Sequence, residues 1–289
     1  MKHHHLQLTL FMVYLAISTL IMVKQGIGIT PDRYIVVLFV GAAFIHRGKQ
    51  FLHDFLPFLL LLLSYEFLRG FADDLNHRIH YFEPIRATQW LFNNHIPTVE
   101  LQHRFFSPGM FHWYDYLATV LYLLHFAVPF GFAFVLWLYN RKYFVEFMVS
   151  LAILSYAGFI SYLLFPIAPP WLAAKMGYIP PVVKIFNLVL ATMPETLRLP
   201  TLYRLIGTNL VAAVPSMHAA YSTLVALFCF KFFGKSGLLL TIYAVAMWLA
   251  IVYLGEHYVI DIVVGVIYAV VSFKVAHLIV HRFGFISNL

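Results

Sequence analysis

Residues 215–218 read Pro-Ser-Met-His, and residues 255–261 read Gly-Glu-His-Tyr-Val-Ile-Asp. In each stretch a histidine, His218 or His257, stands where a long apolar segment begins, and Asp261 follows His257 by one helical turn. Ionisable side chains are rare inside membrane segments and are functional by default. Two histidines at the mouths of neighbouring apolar segments therefore predict one shared reaction site.

The composition excludes a soluble domain. The 289 residues are 62% hydrophobic and only 11% charged, and their mean hydropathy is +0.82, which is more apolar surface than one core can hide from water. The net charge of +7 comes mostly from Lys and Arg beside the segment ends, so we expect the lipid bilayer as a partner and no nucleic acid. The single cysteine, Cys229, excludes an internal disulfide and a CxxC metal site, and we expect neither metal nor cofactor.

Apolar runs of roughly 17–25 residues are long enough to cross a membrane. They predict an all-α, polytopic membrane helix bundle of about eight segments, namely 6–23, 34–46, 51–68, 116–139, 143–165, 217–233, 238–254 and 257–280. The first segment is either a cleaved signal peptide or an uncleaved anchor, and the second is short for a full crossing. We divide the chain into N-terminal membrane segments, 1–50, and a six-helix core, 51–289, with two long links, 69–115 and 166–215.

The basic residues predict how the bundle is oriented. Short links on one side carry Arg47 and Lys49, Arg141 and Lys142, Lys231 and Lys235, and Arg282, whereas the link at residues 255–256 carries none. The positive-inside rule makes the basic side cytoplasmic, although Lys24 and Arg33 are exceptions. His218 and His257 then both lie at helix starts on the extracytoplasmic face, which is periplasmic or luminal. Both long links lie there too; one holds a possible surface helix at 85–92, and the other an apolar piece, 182–193, that is interfacial or re-entrant.

His257 and Asp261 have the spacing of side chains on one helix face. A carboxylate there can accept the imidazole N–H, fix the tautomer and leave the other nitrogen as nucleophile or base. Gly265, one turn further, would let a neighbouring helix approach closely. The alternative is a buried pair that only ties helices together.

Pro215 and Ser216 are typical of a helix start, where backbone N–H groups and the helix dipole attract anions. His218 would face such an anion from the first turn. With both helices presenting their positive ends to one face, a phosphoryl group would be stabilised while one histidine attacks and the other protonates the leaving oxygen.

At these residues the chain resembles the type 2 phosphatidate phosphatase superfamily, through Pro-Ser-x-His at 215–218 and His-x-x-x-Asp at 257–261. The resemblance implies a six-helix core and a phosphohistidine formed on His257, with Asp261 as its orienting partner and His218 as general acid. Ser216 would help to hold the phosphate.

The chain departs from the superfamily's motifs at two places. Ala250 and Ile251 stand where the superfamily has Ser-Arg, and a first motif with lysine and Arg-Pro is absent from the end of the fifth segment. In its place stands a proline-aromatic run, 165–171, which resembles the inositol phosphorylceramide synthase branch or else is a rigid interfacial turn. That branch transfers a phospho-headgroup from a lipid donor to a lipid alcohol.

The missing cations leave a phosphate that still needs counter-charge. Arg204 and Arg69 are the candidates, although Arg69 is equally typical of an interfacial residue whose charge reaches the headgroups. Candidate acceptor-binding or lipid-binding residues are Asp73, Trp171, Pro170 and Tyr258. Asp73 and its neighbour Asp74 are otherwise simply solvated.

We therefore expect a phospholipid phosphotransferase or lipid-phosphate phosphatase, with headgroup transfer favoured over simple hydrolysis of a polyprenyl or phosphatidate phosphate. Two other functions stay open. His218, His257 and Asp261 suit a zinc or iron hydrolase. Ionisable groups inside the membrane also suit a transporter.

Overall fold

The computed structural model describes residues 31–70, 78–193 and 210–282, together with 13–14, 17–18 and 21. In these residues the regular elements are helical, and the only β pairing consists of isolated bridges. The helices are α1 (Pro31–Phe44), α2 (Gly48–Gly70), α3 (Phe82–Leu91), α4 (Pro97–Phe105), α5 (Trp113–Tyr139), α6 (Arg141–Leu164), α7 (Pro170–Lys175), α8 (Ile185–Thr192), α9 (Met217–Phe233), α10 (Gly237–Tyr253) and α11 (Val259–Arg282). The predicted all-α class is confirmed.

Among the described residues, three helical runs are long and apolar enough to cross a membrane, namely Arg141–Leu164, Met217–Tyr253 and Val259–Arg282. The bent α5 makes a fourth when its two halves are counted as one span. The Met217–Tyr253 run comprises α9 and α10, which reverse direction at Gly234, where φ is 58°. α1 has only 14 residues, and the predicted segment 6–23 lies largely outside the described residues. The chain is thus a membrane protein, while the count of about eight segments stays a prediction.

α9 is the central helix and packs against α5, α6, α10 and α11. Small residues such as Ala219 and Ala220 are fully buried on it and let its neighbours approach closely. Its start is fixed by Ser216, whose hydroxyl accepts a hydrogen bond from the backbone N–H of Ala219 at 3.4 Å. Everything that α9 carries in its first turn is therefore held in a densely packed frame.

α5 bends by 49° between His125 and Ala127. Pro129 lies four residues after His125, and proline both lacks the N–H that would bond that carbonyl and pushes it aside. The sequence thus explains where the helix bends, and the bend lies where His125 faces α9.

The described parts of the two long links lie over one end of the bundle. The predicted surface helix at 85–92 forms as α3, but Ile85 and Thr88 are buried, and the apolar piece 182–193 forms α8. Parallel bridges join His80 to Ile167 and Ile167 to Ala212, so the described ends of both links lie side by side.

The predicted division at residue 50 stays a prediction. Leu38 and Ala42 of α1 are fully buried in the same apolar core as Phe51 and Phe55 of α2. At the opposite end from the links, Asp54 of α2 accepts a hydrogen bond from the indole of Trp137 at 2.9 Å and pairs with Arg141. These contacts join the N-terminal helices firmly to the rest of the bundle.

Candidate active site

The starts of α9 and α11 meet at the link-covered end of the bundle. The backbone N–H of Ser216 donates to the carbonyl of Asp261 at 3.1 Å. A Cβ built on Gly265 would lie only 2.5 Å from the carbonyl oxygen of Ser216, so the approach is too close for any side chain at this position. The predicted role of Gly265 in close helix approach is confirmed.

His257 is held through its Nδ1 atom. Nδ1 lies 3.1 Å from the carbonyl oxygen of Ala213 and 3.3 Å from Oδ2 of Asp261. A carbonyl oxygen can only accept, so Nδ1 carries the proton and donates to both groups. In a neutral imidazole this arrangement leaves the lone pair on Nε2.

The expected placement of His257 inside a helix is wrong in one respect, because α11 begins at Val259. α10 ends in a Gly turn: Gly255 has φ 82°, and the N–H groups of Gly255 and Glu256 bond the carbonyls of Val252 and Ile251 at 3.2 and 3.1 Å. His257 follows this turn directly and precedes the next helix.

Asp261 nevertheless reaches His257 because it lies at the third position of α11. Its Oδ2 also accepts the backbone N–H of Tyr258, the residue before the helix, at 2.8 Å. One fully buried carboxylate thus caps α11 and orients the imidazole. Its other oxygen, Oδ1, has no hydrogen-bond partner among the described residues.

The ring of His218 lies close to that of His257. Their centroids are 5.6 Å apart, with the ring planes inclined by 60°. On its other sides His218 contacts Tyr122 and His125 of α5, each with a centroid distance of 4.1 Å. The bend in α5 therefore supplies part of the wall around His218, which sequence reasoning did not detect; a histidine inside an apolar run was the available signal.

Glu256, the buried residue directly before His257, forms an ion pair with the partly exposed Lys184. Nζ of Lys184 lies 3.4 Å from Oε2 of Glu256 and 4.9 Å above the ring of Trp171. Burial raises the pKa of Glu256 above its ordinary value, and the Lys184 ammonium opposes that rise. Sequence reasoning missed both charges, although Glu256 belongs to the quoted stretch and Lys184 interrupts an apolar piece.

Two side chains of α4 form hydrogen bonds with the backbone around His257. The hydroxyl of Thr98 donates to the carbonyl of His257 at 3.3 Å. The amide of Gln102 donates to the carbonyls of Val183 and Tyr253 at 2.9 and 2.8 Å, and accepts the N–H of Val183 at 2.9 Å. Sequence reasoning missed this support, because a polar side chain on a short link helix gives no signal of its partners.

The other predicted site residues fall into three groups. Pro170, Trp171 and Tyr258 lie against this site: the N–H of Trp171 donates to the carbonyl of Gly255 at 3.2 Å, and Tyr258 shares a buried cluster with Trp171. Ser216 is buried and engaged in capping α9. Asp73, Arg204 and the side chain of Arg69 lie outside the described residues.

The ring of His125 separates His218 from a small apolar cavity. His125 and Tyr221, whose rings stack at 5.0 Å, form its wall towards the site. The rest is lined by α1, α2, α5 and α6, including Leu62 and Pro129.

Comparisons with known proteins match this part of the chain. The family model described as the PAP2 superfamily matches residues 100–275, more than half of the chain, including both histidine stretches. The phosphoinositol dihydroceramide synthase of Bacteroides thetaiotaomicron is 30% identical over 165 residues, which cover 54% of this chain and 53% of that protein. The chain thus spans about half the length of this curated relative. No solved structure matches.

Proposed function

Because this chain belongs to the PAP2 superfamily, as its two histidine stretches predicted, we propose that it is a membrane enzyme that transfers the phospho-headgroup of a phospholipid. The acceptor is a lipid alcohol, and the reaction proceeds through a phosphohistidine on His257. The relative's name, phosphoinositol dihydroceramide synthase, supports headgroup transfer over hydrolysis.

His257 carries this proposal. Its protonated Nδ1 is held by a carbonyl and a carboxylate, so the unprotonated Nε2 is available as a nucleophile without a change of tautomer. The 5.6 Å separation from the ring of His218 lets nitrogens of both rings contact one phosphate group. A pair that only tied helices together would not need the second histidine.

The chemistry takes two steps. First, Nε2 of His257 attacks phosphorus, the bond to the glycerol oxygen breaks, and His218 donates a proton to the leaving alkoxide. Next, His218 takes a proton from the incoming alcohol, whose oxygen attacks phosphorus and breaks the bond to His257. Asp261 stabilises the imidazolium-like charge of the intermediate without itself transferring a proton. If water replaces the alcohol, the same steps release the phospho-headgroup; with a lipid phosphomonoester as substrate they release inorganic phosphate, which makes the enzyme a phosphatase.

Counter-charge for the phosphate comes, in this proposal, from Arg204 and Arg69, and from N–H groups at the α9 start capped by Ser216. Lys184 is a further candidate, because its partner Glu256 directly precedes His257. A phosphodiester carries one negative charge, so it needs fewer cations than a phosphomonoester. The absent first-motif lysine and arginine therefore fit headgroup transfer better than monoester hydrolysis.

The headgroup or acceptor is placed by Trp171, Tyr258, Pro170 and Asp73. The indole N–H of Trp171 and the hydroxyl of Tyr258 are buried atoms without a hydrogen-bond partner among the described residues. A buried donor left unpaired costs about 1–3 kcal/mol, so hydroxyl groups of a substrate would be stabilised there.

The proposed topology is multi-pass, with 1–50 as N-terminal segments and α2, α5, α6, α9, α10 and α11 as the six-helix core. The site then faces the periplasm or lumen, because Lys231, Arg141 and Arg282 lie at the opposite end of the bundle. A lipid headgroup at the membrane surface would reach the site directly.

The test uses purified wild type, His257→Ala and His218→Ala in mixed micelles with a phospholipid labelled at phosphorus. The matched control is His103→Ala, an exposed histidine of α4. Both site variants should lose turnover by at least about 10³-fold, while the thermal midpoint stays within the scatter of the control. Wild type quenched in alkaline denaturant should carry label on His257, because the N–P bond of a phosphohistidine is stable in alkali and is hydrolysed by acid.

Product analysis with and without an added lipid alcohol identifies the acceptor. Headgroup transfer predicts a labelled lipid that appears only with the alcohol. Label released solely as the water-soluble phospho-headgroup, whatever alcohol is offered, would leave a hydrolase and remove the transferase. Full activity in either histidine variant would remove that residue from the mechanism.

A further inference from the structure

A second group of ionisable side chains lies at the end of the bundle opposite His218 and His257. Glu146 is in α6, Lys231 is in the last turn of α9, and His277 and His281 are one turn apart near the end of α11. Glu146 is only 1% exposed, although glutamate is almost never buried without a partner. The catalytic proposal gives none of these four residues a role.

The arrangement resembles a set of metal ligands. One donor atom from each of Glu146, His277 and His281 lies within 4.8 Å of the others. The centroids of the two imidazoles are 4.2 Å apart with their planes inclined by 57°, and Nδ1 of His277 is 2.8 Å from Oε1 of Glu146. Tetrahedral zinc with bonds of about 2.1 Å separates its ligand atoms by roughly 3.4 Å. Small rotations of the two exposed histidines would bring the three atoms to that spacing.

Lys231 reveals where a cation would sit. Its Nζ contacts Oε1 of Glu146 and lies 3.1 Å from Nδ1 of His277. With lysine charged, no placement of protons satisfies all three contacts. If Nδ1 accepts from Lys231, it has no proton to share with the carboxylate at 2.8 Å, and if Nδ1 is protonated, it repels the ammonium. A metal ion would accept the lone pairs of both the imidazole and the carboxylate.

We propose that Glu146, His277 and His281 bind a divalent transition metal such as Zn²⁺, in competition with the ammonium of Lys231. Two neutral imidazoles and one carboxylate are a donor set that zinc accepts, with the fourth position left to water. The bound ion would join α6 to α11 at the end of the bundle remote from the reaction, which makes it a structural site. Lys231 would swing out towards solvent when the metal enters.

The experiment measures Zn²⁺ binding by titration calorimetry on detergent-purified protein without a polyhistidine tag. Residues 3–5 are all histidine and bind metals themselves, so each is replaced by serine in every sample. In this background we expect one Zn²⁺ per chain. Glu146→Gln and the exposed His281→Ala should each weaken binding by at least about tenfold. Lys231→Met should tighten it, because it removes the competing cation.

Thermal unfolding gives a second readout. A tenfold to hundredfold excess of Zn²⁺ over its dissociation constant should raise the midpoint of the background protein and leave that of His281→Ala unchanged. Binding that persists at full strength in His281→Ala, or that weakens in Lys231→Met, would overturn the proposal and leave an ion-pair network. The same stoichiometry in His257→Ala would separate this site from the reaction centre.

Discussion

Replacing Gly265 by alanine should damage the site without touching a reacting group. The new methyl would lie 2.5 Å from the carbonyl oxygen of Ser216, whereas ordinary contact begins at 3.4 Å. The starts of α9 and α11 must therefore separate by roughly 0.9 Å, because a backbone carbonyl cannot rotate away as a side chain does. That movement would also stretch the hydrogen bond from Ser216 to Asp261.

The expected cost has two parts. Overpacking of this kind costs about 1–3 kcal/mol, which corresponds to roughly 2–6 °C in Tm for a chain of this size. Displacing catalytic groups by about 1 Å costs roughly 10²-fold in kcat. Because His218 and His257 belong to opposite sides of this contact, the loss should fall on kcat more than on KM.

Gly158→Ala is the matched control, since its methyl would meet the sulfur of Met217 at 2.8 Å, the far end of a flexible side chain. Its activity and Tm should stay close to those of wild type. Both variants are assayed for turnover and thermal unfolding in the same detergent. If Gly265→Ala keeps kcat within about threefold of wild type and its Tm does not fall, the contact between the helix starts does not position the histidines.

Three further predictions follow from the same geometry. Burial raises the pKa of Glu256 above 4.5, so the folded protein keeps that proton at pH values where the unfolded chain has lost it. The free energy of unfolding therefore falls as pH rises above 4.5. Glu256→Gln should flatten the dependence of Tm on pH from 4.5 upwards, and an unchanged slope would contradict this. Asp261→Asn should lower kcat by less than the roughly 10⁴-fold loss expected where a carboxylate is the sole support of a catalytic imidazole, because Ala213 still accepts the Nδ1 proton; steady-state kinetics showing complete loss would refute a shared support. Finally, cysteines placed at the exposed Tyr178 and Lys235 should react with an impermeant maleimide from opposite sides of intact cells or vesicles, and labelling from one side would refute the proposed topology.

Sequence periodicity predicted the large helices well, because lipid requires long apolar runs with internally satisfied backbone. The start of α9 was predicted to the residue, since Pro215 and Ser216 are local signals with a local effect. α11 was predicted two residues too early. The positive φ of Gly255 ends α10, and the hydrogen bond from the backbone N–H of Tyr258 to Asp261 caps the start of α11. The apolar pattern of the sequence predicts neither of these local features.

The histidine pair itself was predictable, because both residues stand at or just before the start of a long apolar helix, and the two helix starts meet at one end of the bundle. Their surroundings were not. Tyr122 and Gln102 reach the site through a bent helix and a short link helix, and such long-range contacts leave no periodic pattern in the sequence. Lys184 was missed for the same reason, since its partner Glu256 is distant along the chain.

The carbonyl of Ala213 supports the imidazole of His257 through a backbone atom, whose position does not depend on the identity of the side chain. This oxygen belongs to a short segment whose backbone is bridged to Ile167, at the point where one long link enters the bundle. Any sideways shift of that segment must turn the imidazole of His257 or break its hydrogen bond. The described end of this link and the imidazole are therefore mechanically coupled, and in the proposed reaction a lipid that presses on the link would also change the orientation of the attacking nitrogen.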